Sequence, residues 1–317
     1  MPAKAALSKT PPHDSGTGVT TASRRTAFRR RLPLLPALIF TIALTQLPFV
    51  VTIFVSFMNW NANYPDKIGF AGVANYVQVF KDPALRSSVV TSFIITVSAV
   101  LGSLILGLGI ALLLNQKFRG RAAVRTMMIT PFLIVPVAAA LLWKHLLYNP
   151  TYGLFNGALL WLSQVTGLPE IQPSWITEAP VVSIVVTLIW QWTPFMMLII
   201  LAGLQGQAPD VIEAARVDGA GGWKLFLYIT LPHARRYLEL STLLGSIYIF
   251  QNFDAVFTIT AGAFGTSNLP YTIYRTFFQA QNYGLASAMG VVTVAGTMIV
   301  VTFFLRTLTT LTEEGSR

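Results

Sequence analysis

Six stretches of about 20 mostly apolar residues recur along this 317-residue chain, each long enough to cross a hydrocarbon core of roughly 30 Å. A backbone in hydrocarbon must satisfy its own hydrogen bonds, so the stretches at 34–58, 88–114, 126–147, 181–204, 238–260 and 286–311 are predicted to be helices. The composition agrees, with 54% hydrophobic and 11% charged residues against roughly 25% charged in an average soluble domain. The expectation is an all-α polytopic membrane protein with six transmembrane helices. Its domains are a basic cytoplasmic tail at 1–32, one membrane domain at 33–312 and a short cytoplasmic tail at 313–317.

A net charge of +10 in a soluble protein points toward nucleic acid, but here the basic residues are distributed by side. With the N-terminus in the cytoplasm, 17 of the 22 Lys and Arg residues fall on one side. Lys67, Lys81, Arg86, Lys144 and Arg275 fall on the other. This is the positive-inside pattern, strongest in "SRRTAFRRRL" before the first span and "QKFRGRAAVR" between the second and third. Both termini are expected in the cytoplasm. The arginine run abuts a span, where anionic headgroups are its simplest partner, so the lipid bilayer and no nucleic acid is expected. Residues 1–23, rich in Ser, Thr, Pro and Ala, read as disordered, and the first apolar segment reads as a retained span rather than a cleaved signal. In the outward loop 59–87, Val73, Val77 and Phe80 share one helical face suited to the membrane surface.

Between the fourth and fifth spans lies a polar interruption, "EAARVDGAGGWKLFLYITLP", from Glu213 to Pro232. Pro209 suits a first helical turn, and Asp210 and Glu213 complement the positive end of the helix dipole. Asp218, Gly219, Gly221 and Gly222 supply turn chemistry, after which "WKLFLYIT" forms a second short helix ended by Pro232. Helices shorter than about 12 residues are marginal alone in water, so the pair implies a docking partner. Glu213, Arg216 and Asp218 offer charge complementarity; Ala214, Ala215, Val217 and Ala220 are small enough to enter a cleft. The plain alternative is a loop that rests on its own bundle.

Polar groups inside a span are costly and call first for a functional reading. Tyr248, Gln251, Asn252 and Asp254 in "YIFQNFDAVFTIT" form the densest intramembrane polar group. Amides donate and accept, and an aromatic ring offers an apolar face, which together suit a neutral polyhydroxylated solute. Amides also glue helices together, and Asp254 equally suits a structural partnership. In the fourth span "WQWTPF" joins Trp190, Gln191, Trp192 and Pro194 as a hinge or pathway element, or as packing. An ion-coupled secondary transporter is the rival reading, with Asp254 or Glu239 as its ion site.

The absences narrow the chemistry. There is no cysteine, and His13, His145 and His233 occur without HExxH spacing, so no catalytic apparatus and no metal site is expected. No G-x-x-x-x-G-K-[ST] appears, so this chain builds no P-loop for ATP.

"EAARVDGA", followed by Phe226, Ile229 and Leu231–Pro232, resembles the EAA loop of permease subunits in binding-protein-dependent ABC importers, specifically the maltose-type sugar permeases. The resemblance runs over nearly all of 34–311, through "FAGVANYVQVFKDP", "VRTMMITPFLIVPVAAALLWKHLLYNPTYGLFN", "WQWTPFMMLIILAGLQGQAPDVIEAA" and "YGLASAMG". It implies a type I ABC importer permease fold in a bacterial inner membrane. It makes 209–232 the coupling loop, in which Glu213, Ala214, Ala215, Asp218 and Gly219 meet a cytoplasmic ATPase, Glu213 as an ion-pair partner and Gly219 as the aiming turn. "FQNFD" resembles the family's "FNNFD", which carries Gln251 and Asn252 over as substrate contacts. The implied partners are an ABC ATPase dimer that binds ATP and Mg, a second homologous permease, an extracellular or periplasmic solute-binding protein, and a sugar or sugar-alcohol substrate. "LLWKHLLYNPTYGLF" is most similar to the mannitol and sorbitol permeases. Two departures stand out: Arg236 where many relatives carry a second proline, and "GAFG" at 262–265 where many carry "GGP".

Overall fold

The computed structural model describes residues 34–314, so the expected tail at 1–32 and residues 315–317 lie outside the described residues. The chain divides into two compact units, 1–51 and 52–317, and the packing described below is that of the second.

The first helix, α1 (Leu35–Ser56), crosses that division. Two short strands, β1 (Met58–Asn59) and β2 (Gly69–Phe70), pair antiparallel with Met58 opposite Phe70. They lead to α2 (Ala74–Lys81), where Val79 is buried while Val73, Val77 and Phe80 stay exposed together, as their spacing predicts. The buried Asn75 amide donates to the Ser56 and Met58 carbonyls at 2.9 and 2.8 Å and so fixes the exit of α1.

The bundle is built around two long helices. The 33-residue α3 (Pro83–Asn115) begins at an Asp82 cap, whose carboxylate accepts from the Ala84 N–H at 2.8 Å, with Pro83 preset for the first turn. The 26-residue α8 (Pro180–Gln205) begins on Pro180. It packs along α3, and the core between them is filled by Ile95, Ala99, Leu188, Met196, Met197 and Ile200. At Gly107 the two backbones close in: a Cβ there would stand 3.0 Å from the Met197 nitrogen.

Between these helices the expected straight span at 126–147 is corrected. The helix α4 (Arg121–Leu133) and the stretch from α5 (Pro136–Leu142) to Leu147 are bent by 99° to one another. Pro136 has no N–H to donate and drives Val135 out of the helical region, to φ −55° and ψ 132°. A π-helical turn over Trp143–Leu147 follows, then α6 (Leu154–Thr166) and the single-turn α7 (Trp175–Glu178). Tyr148 pins this segment to α8 by donating to the Ser183 carbonyl at 2.8 Å.

Beyond α8 come α9 (Pro209–Val217), α10 (Gly222–Leu225) and α11 (Leu231–Phe250). A turn over Val256–Thr260, α12 (Leu269–Tyr274) and α13 (Tyr283–Glu314) complete the chain. The expected span at 238–260 is also corrected, because helical structure stops at Phe250 and resumes only at residue 254. Among the described residues α1, α3 and α8 are each long and apolar enough to cross a membrane, and the bent pair makes a fourth if it is one span. The first half of α11 carries Arg235, Arg236 and Glu239, which shortens its apolar length.

Gly107→Val should wedge α3 from α8 and lower the stability of the purified chain by about 1–3 kcal/mol. Gly109→Val, at a position with open space around it, serves as the control. Equal thermal midpoints for the two variants would contradict this packing.

Candidate functional site

The polar interruption forms a helical hairpin. In α9, Asp210 stands in the first turn and Arg216 in the last, each suited to the dipole at its end. Gly219 takes φ +83°, and the Ala220 N–H closes the turn on the Ala215 carbonyl at 2.9 Å. No residue of α9 is buried: Glu213, Ala214 and Asp218 are exposed and Ala215 half-buried. Apolar side chains are bare as well, with Val217 at 87%, Trp223 at 73% and Tyr228 at 72% exposure.

The second arm differs from its sequence expectation. It does not end at Pro232 but runs from α10 through a π-helical turn, Phe226–Thr230, directly into α11. The Leu231 N–H reaches back five residues to the Phe226 carbonyl. A wider turn at this point accommodates a proline that has no N–H for the usual ladder.

Both roots of the hairpin are fastened to each other. The Tyr237 ring of α11 lies against Gly203 of α8 so closely that a Cβ there would stand 2.2 Å from the ring. His233 Nε2 shares a hydrogen bond with the Gly203 carbonyl at 3.1 Å. Arg236 donates to the Tyr237 hydroxyl at 2.7 Å and so braces this joint. Further along, Met196 packs on Gly245, and the Trp192 and Tyr248 rings stack with centroids 5.5 Å apart and planes 21° apart. The pairs 203/237, 196/245 and 192/248 descend in step along two antiparallel helices, one seam that joins the hairpin's base to the aromatic pair.

Phe195 and Phe132 close around Trp192, whose indole Nε1 is buried and has no hydrogen-bond partner among the described residues. Tyr248 is 55% exposed, and Gln251, three residues on, is exposed as well. The other expected residues sit differently. Asn252 lies outside the helix; its side-chain oxygen accepts from the Ala255 N–H at 3.2 Å, and its carbonyl accepts from Asn268 Nδ2 at 2.5 Å. Asp254 is half-buried just beyond it. Gln191 is buried, with Nε2 3.5 Å from the Ile134 carbonyl freed by the bend of the third segment. Trp190 meets Trp143 at 5.6 Å. Residues 190 and 192 are about 200° apart on a helix, so only one of the two tryptophans faces Tyr248, and that one is Trp192. Helical periodicity carried to the fifth segment could have selected it.

The family described as "Binding-protein-dependent transport system inner membrane component" matches residues 103–313. The chain belongs to this family. A probable ABC transporter permease protein of Pyrococcus horikoshii is 30% identical over 84% of this chain and 91% of its own. The trehalose/maltose transport system permease protein of Thermococcus litoralis is 30% identical over 83% and 87%. The fold is that of a bacterial ABC transporter involved in the import of the acidic polysaccharide alginate, with a TM-score of 0.76 and 20% identity over 90% of this chain and 96% of that one. The chain is therefore a permease, an integral inner-membrane subunit with a type I ABC importer permease fold and without an ATPase role of its own.

Gly203→Ala in the permease should cost about 1–3 kcal/mol by forcing the Tyr237 ring aside. Adding Tyr237→Ala should recover part of the loss, because the clash is removed. Thermal midpoints of the two single variants and the double variant check this; strictly additive losses would mean that the two residues do not meet.

Proposed function

We propose that this permease conducts a sugar, sugar alcohol or related neutral polyhydroxylated solute by alternating access, driven by a separate ATPase dimer that docks on the 209–232 hairpin. A second homologous permease completes the pathway, and an extracellular or periplasmic binding protein delivers the solute. The reading places both termini and the hairpin on the cytoplasmic side, where the basic loops concentrate.

The observation that carries it is the hairpin itself: bare on its charged and apolar faces, yet fastened at both roots. A loop resting on its own bundle would bury one face of α9. Helices this short need tertiary contact to be stable in water, so a partner's cleft is the fitting complement. Glu213 and Asp218 would meet cationic groups there, and Ala214 and Ala215 would allow close approach.

For the solute, the support is the half-exposed Tyr248 ring backed by Trp192, with the Gln251 amide beside it. Ring faces suit the C–H faces of a sugar, and an amide can both donate to and accept from its hydroxyls. The carboxylate at this break, Asp254, disfavours an acidic cargo such as that of the alginate transporter. The naming of the Thermococcus litoralis relative for trehalose and maltose points the same way.

The test is solute-stimulated ATP hydrolysis in proteoliposomes that hold this chain with its ATPase, partner permease and binding protein, screened over polyols, mono- and disaccharides. One neutral solute should stimulate, and Gly219→Pro should return hydrolysis to the unstimulated rate, because proline cannot take a φ of +83°. Uptake by this chain alone under an ion gradient would overturn the reading in favour of a secondary transporter.

A further inference from the structure

At the end of the bundle that carries the hairpin, a cavity of about 680 Å³ opens between the C-terminal ends of α3 and α8 and the starts of α4 and α9. Its lining includes Lys117, Arg121, Arg125, Gln205, Gln207 and Pro209. No acidic side chain lines it, and among the described residues none of the three cations takes part in an ion pair or a side-chain hydrogen bond. Three like charges around one concavity repel each other unless an anion stands between them.

The backbone adds to the same field. The helix α4 starts at Arg121 behind Gly120, and α9 starts at Pro209 behind Ala208; neither has a side-chain cap. Both beginnings line the cavity; the first turn of α4 carries no acidic residue, so the positive end of its dipole adds to the three cations, whereas Asp210 offsets that of α9. The glutamine amides provide further donors.

We propose that this cavity binds a phosphate ester of net negative charge. The α3 and α8 helices are both long and apolar enough to cross a membrane, and the cavity lies where both end, at the level of the lipid headgroups. An anionic phospholipid is therefore one source of the phosphate, and a soluble phosphate compound from the adjoining aqueous side is the other. Ile212 of α9 also lines the cavity, so an occupant touches the first turn of the hairpin and braces it against α4.

The test is equilibrium binding to the full chain in detergent, with dioctanoyl phosphatidylglycerol, dioctanoyl phosphatidylcholine, inorganic phosphate and acetate as probes. Phosphatidylglycerol should bind saturably, and R121Q/R125Q should weaken it by at least about tenfold. R121K/R125K keeps both charges and should remain within about threefold of the parent, which separates lost charge from lost fold. Arg235→Gln, a cation outside the cavity and paired with Glu239, should leave binding unchanged. Binding of phosphatidylglycerol without inorganic phosphate assigns the site to lipid; binding of inorganic phosphate with the same dependence on Arg121 and Arg125 assigns it to a soluble ester. Equal affinity for phosphatidylcholine and phosphatidylglycerol, undiminished binding in R121Q/R125Q, or acetate competing as well as phosphate would each overturn the proposal.

Discussion

Within hydrocarbon a backbone N–H or C=O has no water to turn to, and the breaks in the membrane-facing helices are shaped by that constraint. Pro136 ends one helical path, and the Ile134 carbonyl it frees finds the buried Gln191 amide. Just before Pro232, at the aqueous end of the bundle, a π-helical turn lets the Leu231 N–H donate to a carbonyl five residues back, that of Phe226. Similar turns occur at Trp143–Leu147, Val256–Thr260 and Arg275–Gln279. Lys144 donates to the Thr258 carbonyl at 2.7 Å and so joins two of these turns across the bundle. Serine and threonine hydroxyls inside the helices are in turn satisfied by backbone carbonyls, as where Thr193 Oγ1 donates to the Ile189 carbonyl at 2.6 Å.

How legible these features were in the sequence follows from the range over which each is determined. The apolar runs and the hairpin are local properties, and both are present; α9 begins at Pro209 and Gly219 takes the left-handed turn that its position suggested. The bend after Leu133 was also within reach, since Pro131 and Pro136 stand in the middle of the run. The average apolarity of 126–147 hid it, because proline is tolerated in membrane helices when neighbours satisfy the freed groups, and that neighbour is Gln191, 57 residues away. The break after Phe250 depends likewise on Asn252 capping the next turn and on Asn268 from a later loop. A reading that treats 238–260 as one helix places Gln251 and Asn252 by a periodicity that ends just before them.

The seam between α8 and α11 ties the two halves of the candidate site into one mechanical unit. Gly203 and Trp192 are separated by the same number of residues along α8 as Tyr237 and Tyr248 are along α11, a rise of about 16 Å on each helix. Both helices are continuous over that interval and interlock at three levels, so the hairpin's roots and the aromatic pair belong to one packed unit. The break lies just beyond, at Gln251–Phe253, where helical hydrogen bonding lapses. Tyr248 therefore stands on the continuous part of α11, and Gln251 stands at the break itself. The Trp192 indole N–H is buried in the same seam and has no hydrogen-bond partner among the described residues.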